Sequence, residues 1–154
     1  MALFNVRVYG ILIDEEDRLL VSDEFIRGAY ITKLPGGGLE IGEGTRDGLA
    51  REFMEEANLE ITVGDHFYTT DFFQISAFNN VDQIISIYYL VHSENTKDIQ
   101  AKTVAFDFLP EQVADIKGTA EHLRWIPLSE LKVEDMTLPI DKVAIQMLLS
   151  KKLV

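Results

Sequence analysis

The sequence predicts a mixed α/β (α+β) fold, and three observations carry that expectation. Runs rich in β-branched and aromatic residues recur along the chain. A segment that follows a cluster of glycines repeats its apolar residues every three or four positions, and so does the C-terminal stretch. Residues 4–13, FNVRVYGILI, and the later LLVS flank the polar turn DEEDR and are expected to form a hairpin. AYITKLPGGG is expected to be a short strand ended by Pro35 and three glycines, which break regular pairing and permit unusual backbone angles. Residues 45–57 read as a helix, with Thr45 as its N-cap and Asp47 at the positive end of its dipole. Leu49, Ala50, Phe53 and Ala57 make its buried stripe.

HFYTTDFFQISAF and QIISIYYLVHS read as further strands, the second apolar enough for the interior of a sheet. Residues 94–118 are mostly polar and show no clear period. EHLRWIPLSEL reads as a strand running into a turn and a short helix, with Trp125 as a packing anchor. Residues 138–154 read as a terminal helix with Ile140, Val143, Ala144, Met147 and Leu148 on one face. No internal repeat and no shift of composition marks a linker, so a single domain over residues 1–154 is expected.

Composition narrows the function. The chain has 154 residues and 47% hydrophobic content, enough for a sizeable core. It has no apolar run of about 18 residues that would suggest a membrane span. The start lacks the pattern of a signal peptide, and a cytoplasmic location is expected. Without cysteine the chain has neither disulfides nor thiolate metal sites. Fourteen basic against 26 acidic residues give a net charge of −12, which repels a polyanion unless cations intervene. Nucleic acid and membrane are therefore not expected as partners. Whether the chain pairs as a homodimer is left open.

The helix poses a question of its own. Glu52, Glu55 and Glu56 recur at helical spacing on a face other than the apolar stripe, with Cβ atoms expected about 5 to 6 Å apart. Such carboxylates repel by about 0.2 to 0.5 kcal/mol per pair when exposed. Either the face is simply solvated, with Arg46 and Arg51 nearby, or it serves a hard divalent cation, since Mg²⁺ prefers oxygen ligands.

The glycines and the helix together match one pattern. From Gly37 there are five residues to Glu43 and seven more to Arg51. Then come Glu52, apolar Phe53, one free position, Glu55, Glu56, another free position, Asn58 and apolar Leu59. This resembles the Nudix box, the signature of the Nudix hydrolase family, including the LPGG lead-in. Asn58 stands where that family usually has glycine, and Asn is the second choice after glycine for the left-handed residue that ends a helix. Two other loops fail. Gly37 and Gly42 have the separation of a triphosphatase phosphate loop but are followed by Glu43 and Gly44, and Ile41 stands where a dinucleotide fingerprint needs its third glycine.

The resemblance implies a mixed β-sheet sandwiched between α-helices and a hydrolase that cleaves a nucleoside diphosphate linked to another group, using Mg²⁺ or Mn²⁺. It implies metal ligands at Glu52, Glu55, Glu56 and the Gly36 carbonyl. Glu52 and Glu56 carry catalytic roles, and Arg51 and Glu43 form an ion pair that holds loop against helix. Glu40 is expected to assist the metal shell or the substrate. Arg7 and Lys33 are candidates for reaching a phosphate. Glu121, with Glu111 and Asp115 beside it as alternatives, is a candidate acidic group from beyond the box.

Tyr88, Tyr89, Phe72 and Phe73 read either as core or as stacking partners for a base, and His66, His92 and His122 as structural. The expected substrate is a small nucleotide derivative. Two alternatives come from other classes. A catalytically silent nucleotide-sensing module would usually have lost box glutamates. An isoprenoid diphosphate isomerase would need an active-site cysteine, and none is present.

Overall fold

The structure, a computed structural model, describes residues 1–151; residues 152–154, the end of the expected terminal helix, lie outside the described part. Among the described residues eight strands occur in chain order: β1 (Phe4–Leu12), β2 (Arg18–Ile26), β3 (Ala29–Lys33), β4 (Gly36–Gly38), β5 (Thr62–Thr69), β6 (Gln83–His92), β7 (Ala101–Lys102) and β8 (Thr119–Pro127). Two helices, α1 (Thr45–Ala57) and α2 (Pro139–Lys151), complete an α+β fold together with short 3₁₀ turns. Among the described residues no helix is long and apolar enough to cross a membrane.

The chain forms two compact units, residues 1–12 with 35–98, and residues 13–34 with 99–151. The first holds a four-stranded sheet in the order β4-β1-β6-β5. β1 runs parallel to β6 and antiparallel to β4, and β5 runs antiparallel to β6. The apolar run of β6 is therefore interior, as its composition predicts. Helix α1 buries Leu49 and Phe53. A Cβ on Gly10 would come within 2.6 Å of the Phe53 ring, so the bare backbone of β1 is what admits that ring. Tyr9 and Tyr88 stack at 5.4 Å and are both buried, as is Tyr89, which makes the β6 tyrosines core. Phe72 and Phe73 lie outside any strand and are exposed.

The second unit holds the sheet β3-β2-β8-β7, in which β2 is antiparallel to β3 and β8, and β7 is parallel to β8. Trp125 is buried on β8, with the Arg18 guanidinium 5.1 Å over its ring. Helix α2 buries Ile140, Ala144, Ile145 and Leu148, while Val143 and Met147 are only half-buried. The buried stripe is thus turned toward Ile145.

Four expectations need correction. No β1–β2 hairpin forms, because β1 is already paired on both edges by β4 and β6. What remains of it is a single bridge between Ile13 and Leu19, closed by Asp14, whose Oδ1 accepts the N–H groups of Glu16 and Arg18. Gly36, Gly37 and Gly38 do not end pairing but form β4, in register with Tyr9, Val8 and Arg7. The run HFYTTDFFQISAF is strand only as far as Thr69, apart from one bridge of Ile75 to Gln83. Finally, LSEL is a turn, and the short helical turn lies beyond it at Val133–Asp135.

Candidate active site on the glycine strand and its helix

The box residues all fall within the first unit. The N-cap of helix α1 is Gly44, which is extended and gives no side-chain cap. Thr45, expected as the cap, is already helical, and its hydroxyl is hydrogen-bonded at 2.7 Å to the Tyr89 hydroxyl. That bond ties the first turn of α1 to β6. The helix ends on Asn58, left-handed at φ 49 and ψ 43, whose N–H donates to Met54 O at 3.1 Å while the Leu59 N–H reaches Phe53 O at 3.4 Å.

Two glycines set the distance between strand and helix. Gly36 has φ +146, and a Cβ there would strike the Val8 carbonyl oxygen and stand 2.8 Å from Tyr9 Cα. Any other residue would drive β4 off β1. The Gly36 N–H instead donates to Glu56 Oε2 at 3.2 Å. A Cβ on Gly37 would lie 2.6 Å from Glu52 Oε2, so the Glu52 carboxylate occupies the space that a side chain would fill.

Arg51 supplies the positive charge that the helix face needs. Its Nε and Nη2 donate to the two Glu43 oxygens at 3.0 and 2.6 Å. Nη1 donates to Glu52 Oε1 at 3.0 Å and to Glu55 Oε2 at 3.3 Å. Nη2 also reaches Gly38 O at 3.1 Å, and Glu40 Oε2 lies 3.6 Å from Nε. The forked contact is the geometry in which a guanidinium binds carboxylate best. Hydrogen bonding from Arg51, seconded by the Glu40 N–H, lowers the Glu43 pKa from 4.5 to about 2. Glu43 in turn pushes the Arg51 pKa upward. Gly48, in the first turn of α1, belongs to the same cluster: a Cβ there would come within 2.8 Å of Glu43 Oε1 and 2.7 Å of Leu39 Cδ1.

Arg7 flanks this cluster. It is paired in register with Gly38, and its Nη1 lies 3.6 Å from where a Gly38 Cβ would stand, while its Nε donates to the Tyr9 hydroxyl at 2.6 Å. Lys33 and Glu121 belong to the second unit. Lys33 is buried with its ammonium 3.1 Å from Glu24 Oε2, and Glu121 stands directly across β2–β8 from Glu24. Glu111 lies in a 3₁₀ turn of that unit, and Asp115 accepts the Lys117 N–H at 2.9 Å.

The donor set suits a hard cation in kind, since Glu52, Glu55, Glu56 and the Gly36 carbonyl offer only oxygen. The Gly37 cradle holds one of those carboxylates against the strand. The carboxylates are not gathered into a finished cage: Glu52 and Glu55 face Arg51, Glu56 faces the Gly36 N–H, and among the described residues no three acidic or histidine side chains converge as metal ligands would. Gly48 and Tyr9 are the supporting residues that sequence reasoning passed over, and the bond of Tyr89 to Thr45 is a role it did not give that tyrosine. A glycine within a helix, which costs about 1 kcal/mol relative to alanine, was the available signal for the first.

A family model described as NUDIX domain matches residues 3–147. The chain belongs to the Nudix hydrolase family. Solved structures share its fold. A NUDIX hydrolase from Nitrosomonas europaea superposes with a TM-score of 0.66 at 21% identity, covering 96% of this chain and 90% of that one. A MutT protein from Methanosarcina mazei gives 0.61 at 20% identity, with 98% and 97% covered. An ADP-ribose pyrophosphatase from Streptococcus suis gives 0.59 at 14% identity, with 97% and 92% covered. No curated protein matches the sequence. The box that carries the Nudix resemblance is the same strand, loop and helix on which Glu40, Glu43, Glu52 and Glu55 meet Arg51.

Proposed function

We propose that this Nudix domain is a metal-dependent pyrophosphohydrolase that cleaves the diphosphate bond of a nucleoside diphosphate linked to another group. The observation that carries the reading is the seating of Glu52 on Gly37 and of Glu56 on Gly36, with Arg51 bracing the helix acids. Glu52, Glu55, Glu56 and the Gly36 carbonyl would hold Mg²⁺ or Mn²⁺. Bound there, such an ion supplies neutralisation of diphosphate oxygens and a lowered pKa for attacking water.

The chain's own residues do the rest. Glu52 or Glu56 takes the proton of the water that attacks phosphorus, a task that needs a carboxylate held in place. Glu43 keeps Arg51 aimed, so that the acids next to it stay in register. Arg7 and Glu40, which flank the box in the first unit, are assigned to the substrate, Arg7 to its phosphates. With a net charge of −12, the chain admits an anionic substrate only where cations reverse the local field.

A single domain is part of this reading and is supported by a family match that runs from residue 3 to residue 147. A cytoplasmic setting and a small-molecule partner are further parts of it. The deciding experiment is turnover of ADP-ribose, nucleotide sugars, nucleoside triphosphates and dinucleoside polyphosphates with Mg²⁺ or Mn²⁺, read as release of phosphate or nucleoside monophosphate. Hydrolysis of one class supports the reading; tight binding across the panel without any hydrolysis would make the domain a sensing module instead.

A further inference from the structure

Residues 103–109, between β7 and β8, include one residue held in a backbone conformation that its side chain disfavours. Phe106 has φ +53, in the left-handed region, where its Cβ crowds the following carbonyl. The amides on either side of the strained point are captured by side chains. The Phe106 N–H donates to Asp23 Oδ2 at 3.2 Å, and the Asp107 N–H donates to His122 Nε2 at 3.0 Å. Lys102 Nζ donates to Asp107 O at 2.6 Å, and the Phe108 N–H turns back to Phe106 O at 2.8 Å.

The two capturing groups are themselves fixed. Asp23 is fully buried on β2 and accepts Arg124 Nε at 2.7 Å, Arg124 Nη2 at 3.0 Å and the Thr32 hydroxyl at 2.7 Å. His122 Nδ1 lies 3.2 Å from Leu123 O. A carbonyl only accepts, so Nδ1 carries the hydrogen and Nε2 is the acceptor that Asp107 needs. Rings complete the hold: Phe106 meets Tyr30 edge-on at 5.3 Å, Phe108 lies 4.8 Å from His122, and Tyr30 lies 5.1 Å from Phe25. That cluster is only half covered, with Tyr30 48% exposed.

Strain at Phe106 therefore works against two amide bonds, the Lys102 bond to Asp107 O and a half-exposed ring cluster. Releasing the segment would strand no buried charge, because Arg124 and Thr32 already satisfy Asp23. We infer that residues 103–109 form a spring-loaded strap, which lifts as a unit while β2 and β8 stay paired. Lifting opens the Asp23–Arg124 pair and the rings of Phe25 and Tyr30 to solvent.

Amide hydrogen exchange on the full chain tests this. The amides of residues 103–109 should exchange together and faster than those of β8. His122→Phe, which removes the acceptor and keeps a ring against Phe108, should speed them about tenfold without speeding β8. Phe106→Gly and Phe106→Ala both delete the ring, so their difference isolates the backbone; the glycine variant should exchange more slowly. Strap amides protected as strongly as β8 in the parent chain, or an alanine variant that exchanges no faster than the glycine variant, would overturn the inference.

Discussion

The carboxylate of Glu52 lies where a side chain on Gly37 would begin, with Oε2 2.6 Å from the position a Cβ would take. Gly37→Ala should therefore displace Glu52 while leaving the fold in place, since the contact is with the mobile end of a side chain. Turnover is expected to fall about 100-fold, the scale of a misplaced catalytic group. Gly36→Ala should behave differently, because its Cβ meets the backbone of Val8 and Tyr9. A loss of about 2 kcal/mol or more in urea unfolding is expected there.

Glu56→Gln keeps an oxygen for the Gly36 N–H, so the melting temperature should stay near that of the parent. Turnover should drop by about 1000-fold, within the range of lost acid–base catalysis. Undiminished activity in this variant would remove Glu56 from the mechanism.

Metal binding has its own readout. Adding Mg²⁺ should raise the melting temperature of the parent chain, by about 2.7 kcal/mol of stability at 100 times the dissociation constant. Glu52→Gln and Glu55→Gln should each shrink that shift. A melt that ignores Mg²⁺ in the parent would speak against ligation by the helix.

Glu43 predicts the pH dependence. Its pKa is lowered in the folded chain from 4.5 to about 2 by Arg51 and the Glu40 N–H. The pair thus contributes full stability above pH 4.5, and that contribution drains away as pH falls from there to about 2. Urea midpoints of the parent and of Glu43→Gln should differ at neutral pH and converge in acid; a constant difference would mean that the ion pair is not the source.

How much of this was legible beforehand depends on the range of the interactions. Helix α1 was readable to its last residue because its apolar spacing and its left-handed Asn58 are local signals. The Arg51–Glu43 pairing followed from the box. The glycines as a strand were hidden, because pairing with β1 is a tertiary fact that overrides their poor strand propensity. The missing hairpin failed for the same reason: a polar turn between two apolar runs cannot reveal that both edges of the first run are already taken. Thr45 looked like a cap, but whether a threonine caps or bonds elsewhere was decided by Tyr89, 44 positions away. Lys33 read as a candidate for reaching a phosphate or as a packing residue, and only the folded chain shows it buried against Glu24.

Asn58 carries one last implication. Its backbone makes the left-handed turn that relatives usually assign to a residue without a side chain, so the shape is kept while the letter changes. A text search that insists on that letter would overlook this enzyme family member, and any others that use the same spelling; allowing asparagine at that one place would recover them.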